Sequence, residues 1–161
     1  MTAPVTISNR HAHLRPAHRP LERLASRVFS GERSKGHADI ILAGSSVLLT
    51  LNRRFRKKNK TTDVLAFAFG GHGHPDSSGF WGEVYVNLDL LRREAKQTGL
   101  TLRDALAWRI VHGLLHLLGY DHRSAKEAAV MRERERKYLA AAGFRLPWER
   151  EPPRAEARSK R

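Results

Sequence analysis

The chain contains no cysteine among its 161 residues. That excludes disulfides and any thiolate-ligated zinc or iron–sulfur site. No apolar run approaches the roughly 20 residues that a membrane-spanning helix needs. The N-terminal MTAPVTISNRHAHLRP has no apolar stretch of the kind a secretory signal carries. The expected location is therefore the cytoplasm, with no membrane span. Acidic residues are scarce as well. Sixteen Asp and Glu face thirty Lys and Arg, leaving a formal net charge of +14. So little acid favours a polyanionic partner, because neutralising phosphates releases counterions. Nucleic acid or a ribonucleoprotein comes first, an anionic membrane surface second, and a merely basic surface without a specific partner third.

The length suits one domain, and 40% hydrophobic residues suit a soluble globular core. Val5–Arg10 alternates like a short strand. Pro20–Ser30 carries Leu21, Leu24, Ala25, Val28 and Phe29 at helical spacing, with Pro20 at the expected first helical position. HADIIL from His37 reads as a strand. SSVLLTLNRRFR reads as a helix capped by Ser45 or Ser46, with basic residues crowding its exit. Asp63–Phe69 and Trp81–Asn87 read as two strands, expected antiparallel, around the Gly- and Pro-rich loop 70–79.

A short helix over Leu88–Gln97 is expected to end at Gly99. Thr101 is placed to cap the next helix, which is apolar on nearly all sides and therefore buried. A final amphipathic helix runs from about Ser124 to Ala142, with Val130, Met131, Tyr138 and Leu139 as its expected inner face. The order β-α-β-α-β-β-α-α-α predicts a single α/β (α+β) domain, a mixed four-stranded sheet packed with helices. Its bounds are residues 1–146. Residues 147–161, polar, Pro-containing and basic, read as a disordered tail.

The string that carries chemistry is HGLLHLLGYDH, from His112 to His122. Histidines four apart share one helix face, about 5–6 Å apart, the separation at which two imidazoles can grip one ion. Gly119 permits a reversal that could return His122 to the same ion. Three imidazoles leave a fourth position open, as in catalytic rather than structural zinc sites. The competing reading, buried histidines satisfied within the core, must find partners for two neutral imidazoles. One Zn2+ per chain is the expected cofactor; nickel, copper or iron would also suit such a site.

The same spacing occurs in the metzincin proteases, but there a Glu follows the first His as general base. Here that position is Gly113. A peptidase or other metzincin-like hydrolase is thereby a weaker alternative. Asp121 suits either of two roles: a carboxylate orienting an imidazole, or a turn and cap before the last helix.

HGLLHLLGYDH resembles the HGxLHLxGYDH signature of the YbeY family of bacterial endoribonucleases. LNRRFRKKNKTTDVLAFAF is similar to the family's block of an Asn, an aromatic–Arg pair and TDVLSF, and WGEVYVN is similar to its GDI-type strand. The likeness runs in order from about Val5 to Gly143. Ala66, Glu83 and Asn87 depart from the family's usual Ser, Asp and Ser.

The resemblance implies one α/β domain with zinc bound by His112, His116 and His122. It also implies cleavage of single-stranded RNA in maturation of the 3′ end of small-subunit ribosomal RNA, ribosome quality control, and contact with the small ribosomal subunit. The family's arginine falls on Arg56, well typed for a bidentate phosphate contact. On charge pattern alone Arg56 is one more solvated cation. Zinc hydroxide could act without a base; otherwise Asp121, Glu83 or a substrate phosphate could serve. A ribosome assembly factor with a structural zinc remains a further alternative. His72 and His74, like His11, His13 and His18, read as solvated loop histidines.

Overall fold

The computed structural model describes residues 4–148. Its elements come in the expected order: β1 (Val5–Asn9), α1 (His18–Gly31), β2 (His37–Ala43), α2 (Ser45–Arg56), β3 (Val64–Ala68), β4 (Phe80–Asn87), α3 (Leu88–Thr98), α4 (Leu102–Leu117) and α5 (Ala125–Ala141). The sheet order is β1-β2-β4-β3. The first three strands run parallel, and β3 pairs antiparallel to β4 from an edge.

Strand alternation sorts the side chains into two cores of unequal size. Val5, Ile7, Ile40, Leu42, Val84 and Val86 face a large cluster closed by α1, α3, α4 and α5. Ile41, Ala43, Leu65 and Tyr85 face the other way, against α2 through Leu48. Helix α4 is the central element. Eleven of its sixteen residues are buried, which is why its sequence is apolar around nearly its whole circumference.

The helix ends explain most of the boundaries. Thr101 accepts from the Asp104 N–H, and Ser124 with Glu127 forms a complete capping box on α5. Gly99 closes α3 in the left-handed region, as expected. Pro20 sits two residues inside α1 rather than at its start; the first turn of a helix tolerates proline because its N–H groups have no intrahelical partner. Neither Ser45 nor Ser46 caps α2. Gly44 is the N-cap, and the Ser45 N–H is satisfied by the Asp89 carboxylate, 2.9 Å away on α3. Val130, expected inside, is exposed, and α5 buries Glu135 with Met131, Tyr138 and Leu139 instead.

Asn87, a departure from the family pattern, is fully buried and caps α3 through the N–H groups of Asp89 and Leu90. Its amide donates to Ser45 Oγ, Thr61 Oγ1 and the Thr62 carbonyl, joining three segments. At the C-terminal end Leu146 is buried, and the Trp148 ring meets Trp108 edge-on at 6.0 Å. The packed body thus includes Trp148, one residue past the expected start of the tail. Residues 149–161, the rest of that expected tail, lie outside the described residues.

Candidate metal centre

Helix α4 presents His112 and His116 one turn apart on the same face. The helix stops at Leu117, and Gly119, at φ +100°, reverses the chain. That backbone region disfavours side chains with a Cβ. Its consequence is the return of His122 to the other two histidines. One ligand-type atom from each of the three lies within 4.8 Å of the others. His112 Nε2 and His116 Nε2 are 3.1 Å apart. A tetrahedral ion with nitrogen ligands at about 2.0–2.1 Å spaces them about 3.3 Å apart. The donor set therefore fits a divalent metal of zinc's size.

Protonation fits as well. Burial, with neighbouring His112 and His122, pushes the His116 imidazole down to about 4. Near neutral pH it keeps the lone pair that a ligand must offer. His112 is oriented from behind. Its Nδ1 is 2.6 Å from Glu135 Oε1, and the other oxygen of that buried carboxylate accepts from Trp108 Nε1 at 3.1 Å. A proton on Nδ1 shared with Glu135 leaves Nε2 bare toward the cluster.

Glu135 is the carboxylate that orients an imidazole; Asp121 is not. Asp121 Oδ1 accepts from the His122 N–H at 2.8 Å, and Oδ2 pairs with Arg123 at 3.1 Å. The turn reading of Asp121 is the one its contacts support. The His122 N–H, then Arg123 and the nearby imidazoles, hold its carboxyl below the usual range. Glu135 lies thirteen residues beyond His122, in a stretch of alternating Arg and Glu. Its only sequence signal was its place on the inner stripe with Met131 and Leu139, four residues on either side.

The cluster opens into a cleft of roughly 470 Å³. Val64, Ala66 and Ala68 of β3 form one wall, and Arg56 and Asp121 both border it. Ala66, where the family pattern has Ser, thus presents a methyl rather than a hydroxyl to this cleft. His72 also borders it, as an exposed loop histidine at the cleft's edge. It is brought there by a close backbone approach: a Cβ on Gly73 would meet the Gly119 Cα at 3.2 Å. Glu83 is not available as a base. It accepts from the Tyr85 hydroxyl on the α2 side of the sheet, whereas the adjacent Val84 faces α4.

Gly113 has a structural reason. A Cβ there would stand 2.4 Å from Val84 Cγ1. The glutamate that a metzincin places at this position has no room, because α4 lies directly on β4. Beneath the site Arg109 is buried, bridging Asp63 at 2.6 Å and Glu94 at 2.7 Å, with its guanidinium 3.8 Å from the Trp108 ring centre. This ties the cleft-lining Asp63 to the metal helix.

Residues 7–143 match the family model described as endoribonuclease YbeY. Curated proteins of that description include one from Maricaulis maris, 35% identical over 76% of this chain and 74% of its own. One from Carboxydothermus hydrogenoformans is 34% identical over 74% and 81%, and one from Gluconobacter oxydans is 40% identical over 68% and 61%. The solution structure of TM1509 from Thermotoga maritima superposes with a TM-score of 0.62 at 21% identity, covering 92% of this chain and 98% of that one. That likeness concerns the fold.

Proposed function

The chain belongs to the YbeY endoribonuclease family, and from that premise we propose that it is a zinc-dependent endoribonuclease that hydrolyses single-stranded RNA. The substrate is ribosomal RNA at the 3′ end of the small-subunit species, met on or near the small ribosomal subunit in the cytoplasm. None of the described helices is long and apolar enough to cross a membrane. The observation that carries the reading is that a three-imidazole cluster and Arg56 border one cleft.

His112, His116 and His122 hold the ion. Bound there, a divalent cation supplies Lewis-acid polarisation of a phosphoryl oxygen and acidifies a water molecule. Arg56 binds the scissile phosphate through two parallel N–H donors and fixes it against the histidine cluster. Glu135 keeps the His112 ring turned so that Nε2 points into the cluster. Asp121 has lone pairs to spare beyond its bonds to His122 and Arg123, and accepts a hydrogen bond from the attacking water. A carboxylate held below the usual range is a weak base, so its part is to orient water more than to remove its proton.

The test compares wild type, His116→Ala and Arg56→Ala for bound metal and for cleavage of single-stranded RNA. His116→Ala should lose metal and cleavage together. Arg56→Ala should keep its metal and lose about 1.5–3 kcal/mol of charge-assisted binding, roughly ten- to a hundredfold in cleavage. Equal cleavage by wild type and His116→Ala would assign the activity to a contaminant.

A further inference from the structure

Two phenylalanines stand out on the surface. Phe55 is 58% exposed and Phe69 is 55% exposed, a costly arrangement for large apolar rings. Both sit beside the edge strand β3 on the face away from the histidine cleft. Phe55, in the last turn of α2, packs against Phe67 with ring centres 5.3 Å apart, and Phe67 in turn meets Tyr85 at 5.9 Å. Phe69 lies just past the end of β3, and its ring contact places it on the same side. Its ring lies 5.0 Å from Phe80, which contacts His37 at 4.9 Å.

The next residue after Phe55 is Arg56, which borders the cleft on the opposite face of β3. The end of α2 therefore straddles the sheet edge, with an aromatic ring on one side and a phosphate-binding cation on the other. Residues 53–60, RRFRKKNK, hold six Arg and Lys and no acid, and every one is exposed. Arg54 lies 5.4 Å from the Phe55 ring centre. Deeper on the same sheet face the chemistry reverses. Asp39 and Glu83 are cross-strand partners there, and would repel a phosphate backbone. The charge pattern leaves an anionic strand one track, along the β3 edge.

We propose that Phe55 and Phe69 form a stacking platform for unpaired bases of an RNA strand whose backbone passes Arg56 into the histidine cleft. The proposal rests on the RNA-cleaving reading above and adds to it a source of single-strand preference. Exposed aromatic rings beside a basic track bind any base by its face, whatever its sequence. Bases in a duplex are already stacked on one another and offer no free face to the platform.

The test uses the full, metal-loaded chain. The probes are a 12-nucleotide single-stranded RNA containing 2-aminopurine and the same strand annealed to its complement. Quenching is read by stopped flow before turnover. Phe55→Ser and Phe69→Ser should each weaken single-strand binding by about five- to tenfold and leave duplex binding unchanged. Phe55→Trp should bind the single strand at least as tightly as wild type and quench at least as much. Bound metal should match wild type in all three. Wild-type affinity in both serine variants would overturn the proposal, as would equal losses on single strand and duplex. If Phe55→Ser melts early, Phe55→Trp and Phe69→Ser decide by the same criteria. A wild-type chain that neither binds nor cleaves RNA would remove the underlying reading itself, and the platform with it.

Discussion

Gly113→Ala gives the sharpest test of how the metal helix is seated, because two effects of opposite sign compete. In a helix interior, alanine is better than glycine by about 1 kcal/mol. Helix propensity alone thus predicts a more stable protein. The new methyl, however, would lie 2.4 Å from Val84 Cγ1 and 3.2 Å from Cγ2, where carbon contacts sit at about 3.5–4.0 Å. Relief requires a shift of about 1 Å between α4 and β4. Val84 cannot supply it. It is fully buried, on a strand hydrogen-bonded to β2 and β3 on either side. Turning its stiff side chain costs about 0.5–1.5 kcal/mol and points a methyl into another neighbour. Overpacking of this kind costs about 1–3 kcal/mol, toward the upper end where neither wall yields. The net expectation is a loss of about 1–2 kcal/mol, a fall of roughly 2–8 °C in Tm for a chain of this size. Urea melts of wild type, Gly113→Ala, Val84→Ala and the double variant measure it, with the double less destabilised than the sum of the singles. A Gly113→Ala protein about 1 kcal/mol more stable than wild type would refute the reasoning: α4 would not be held against Val84 as described.

Three further outcomes follow from contacts that support the site and the fold. Glu135→Gln removes the charge behind His112 and turns an amide N–H toward one of its two donors. It should weaken metal affinity about ten- to a hundredfold in a chelator competition, and an unchanged affinity would make Glu135 a packing residue only. Asn87→Ala removes a helix cap together with the amide contacts to Ser45, Thr61 and Thr62, and should cost about 2–4 kcal/mol in a denaturant melt. Asp89 is held below its usual pKa by His11 first and by the Ser45 N–H second. Its contribution is present above the unfolded carboxyl value of about 4 and is lost as pH falls through the lower folded value. Asp89→Asn should therefore be less stable than wild type from about pH 5 upward, with the two stability curves meeting in strong acid.

What could be read from the sequence followed distance along the chain. The three histidines were legible because helix pitch and one glycine set their positions within a short stretch. The element order was legible because each helix carried its own apolar stripe and the strands alternated. What escaped were groups whose roles are set by distant partners. Glu135 looks like one of several alternating charges on α5 until its contact with His112 is seen. Asp89 takes over a cap expected of a serine forty-four residues earlier. His72 is solvated, as its loop suggested, but nothing local reveals that Gly73 touches Gly119 and so sets that histidine beside the cleft. Glu83 was a plausible base until the parity of β4 turned it to the far side of the sheet.

The compactness of the ligand set has a consequence for how this protein is to be assayed. His112, His116 and His122 span eleven consecutive positions, so closing that loop around an ion costs little chain entropy. Arg56 and Glu135 reach the same place from opposite ends of the sequence and arrive only when the tertiary fold is complete. If Arg56 clamps phosphate as proposed, a preparation can therefore retain metal on a helix and a turn while that clamp is still unassembled. Metal stoichiometry would then count the intact helix-and-turn ligand set; the fraction of active molecules has to be titrated separately, with substrate.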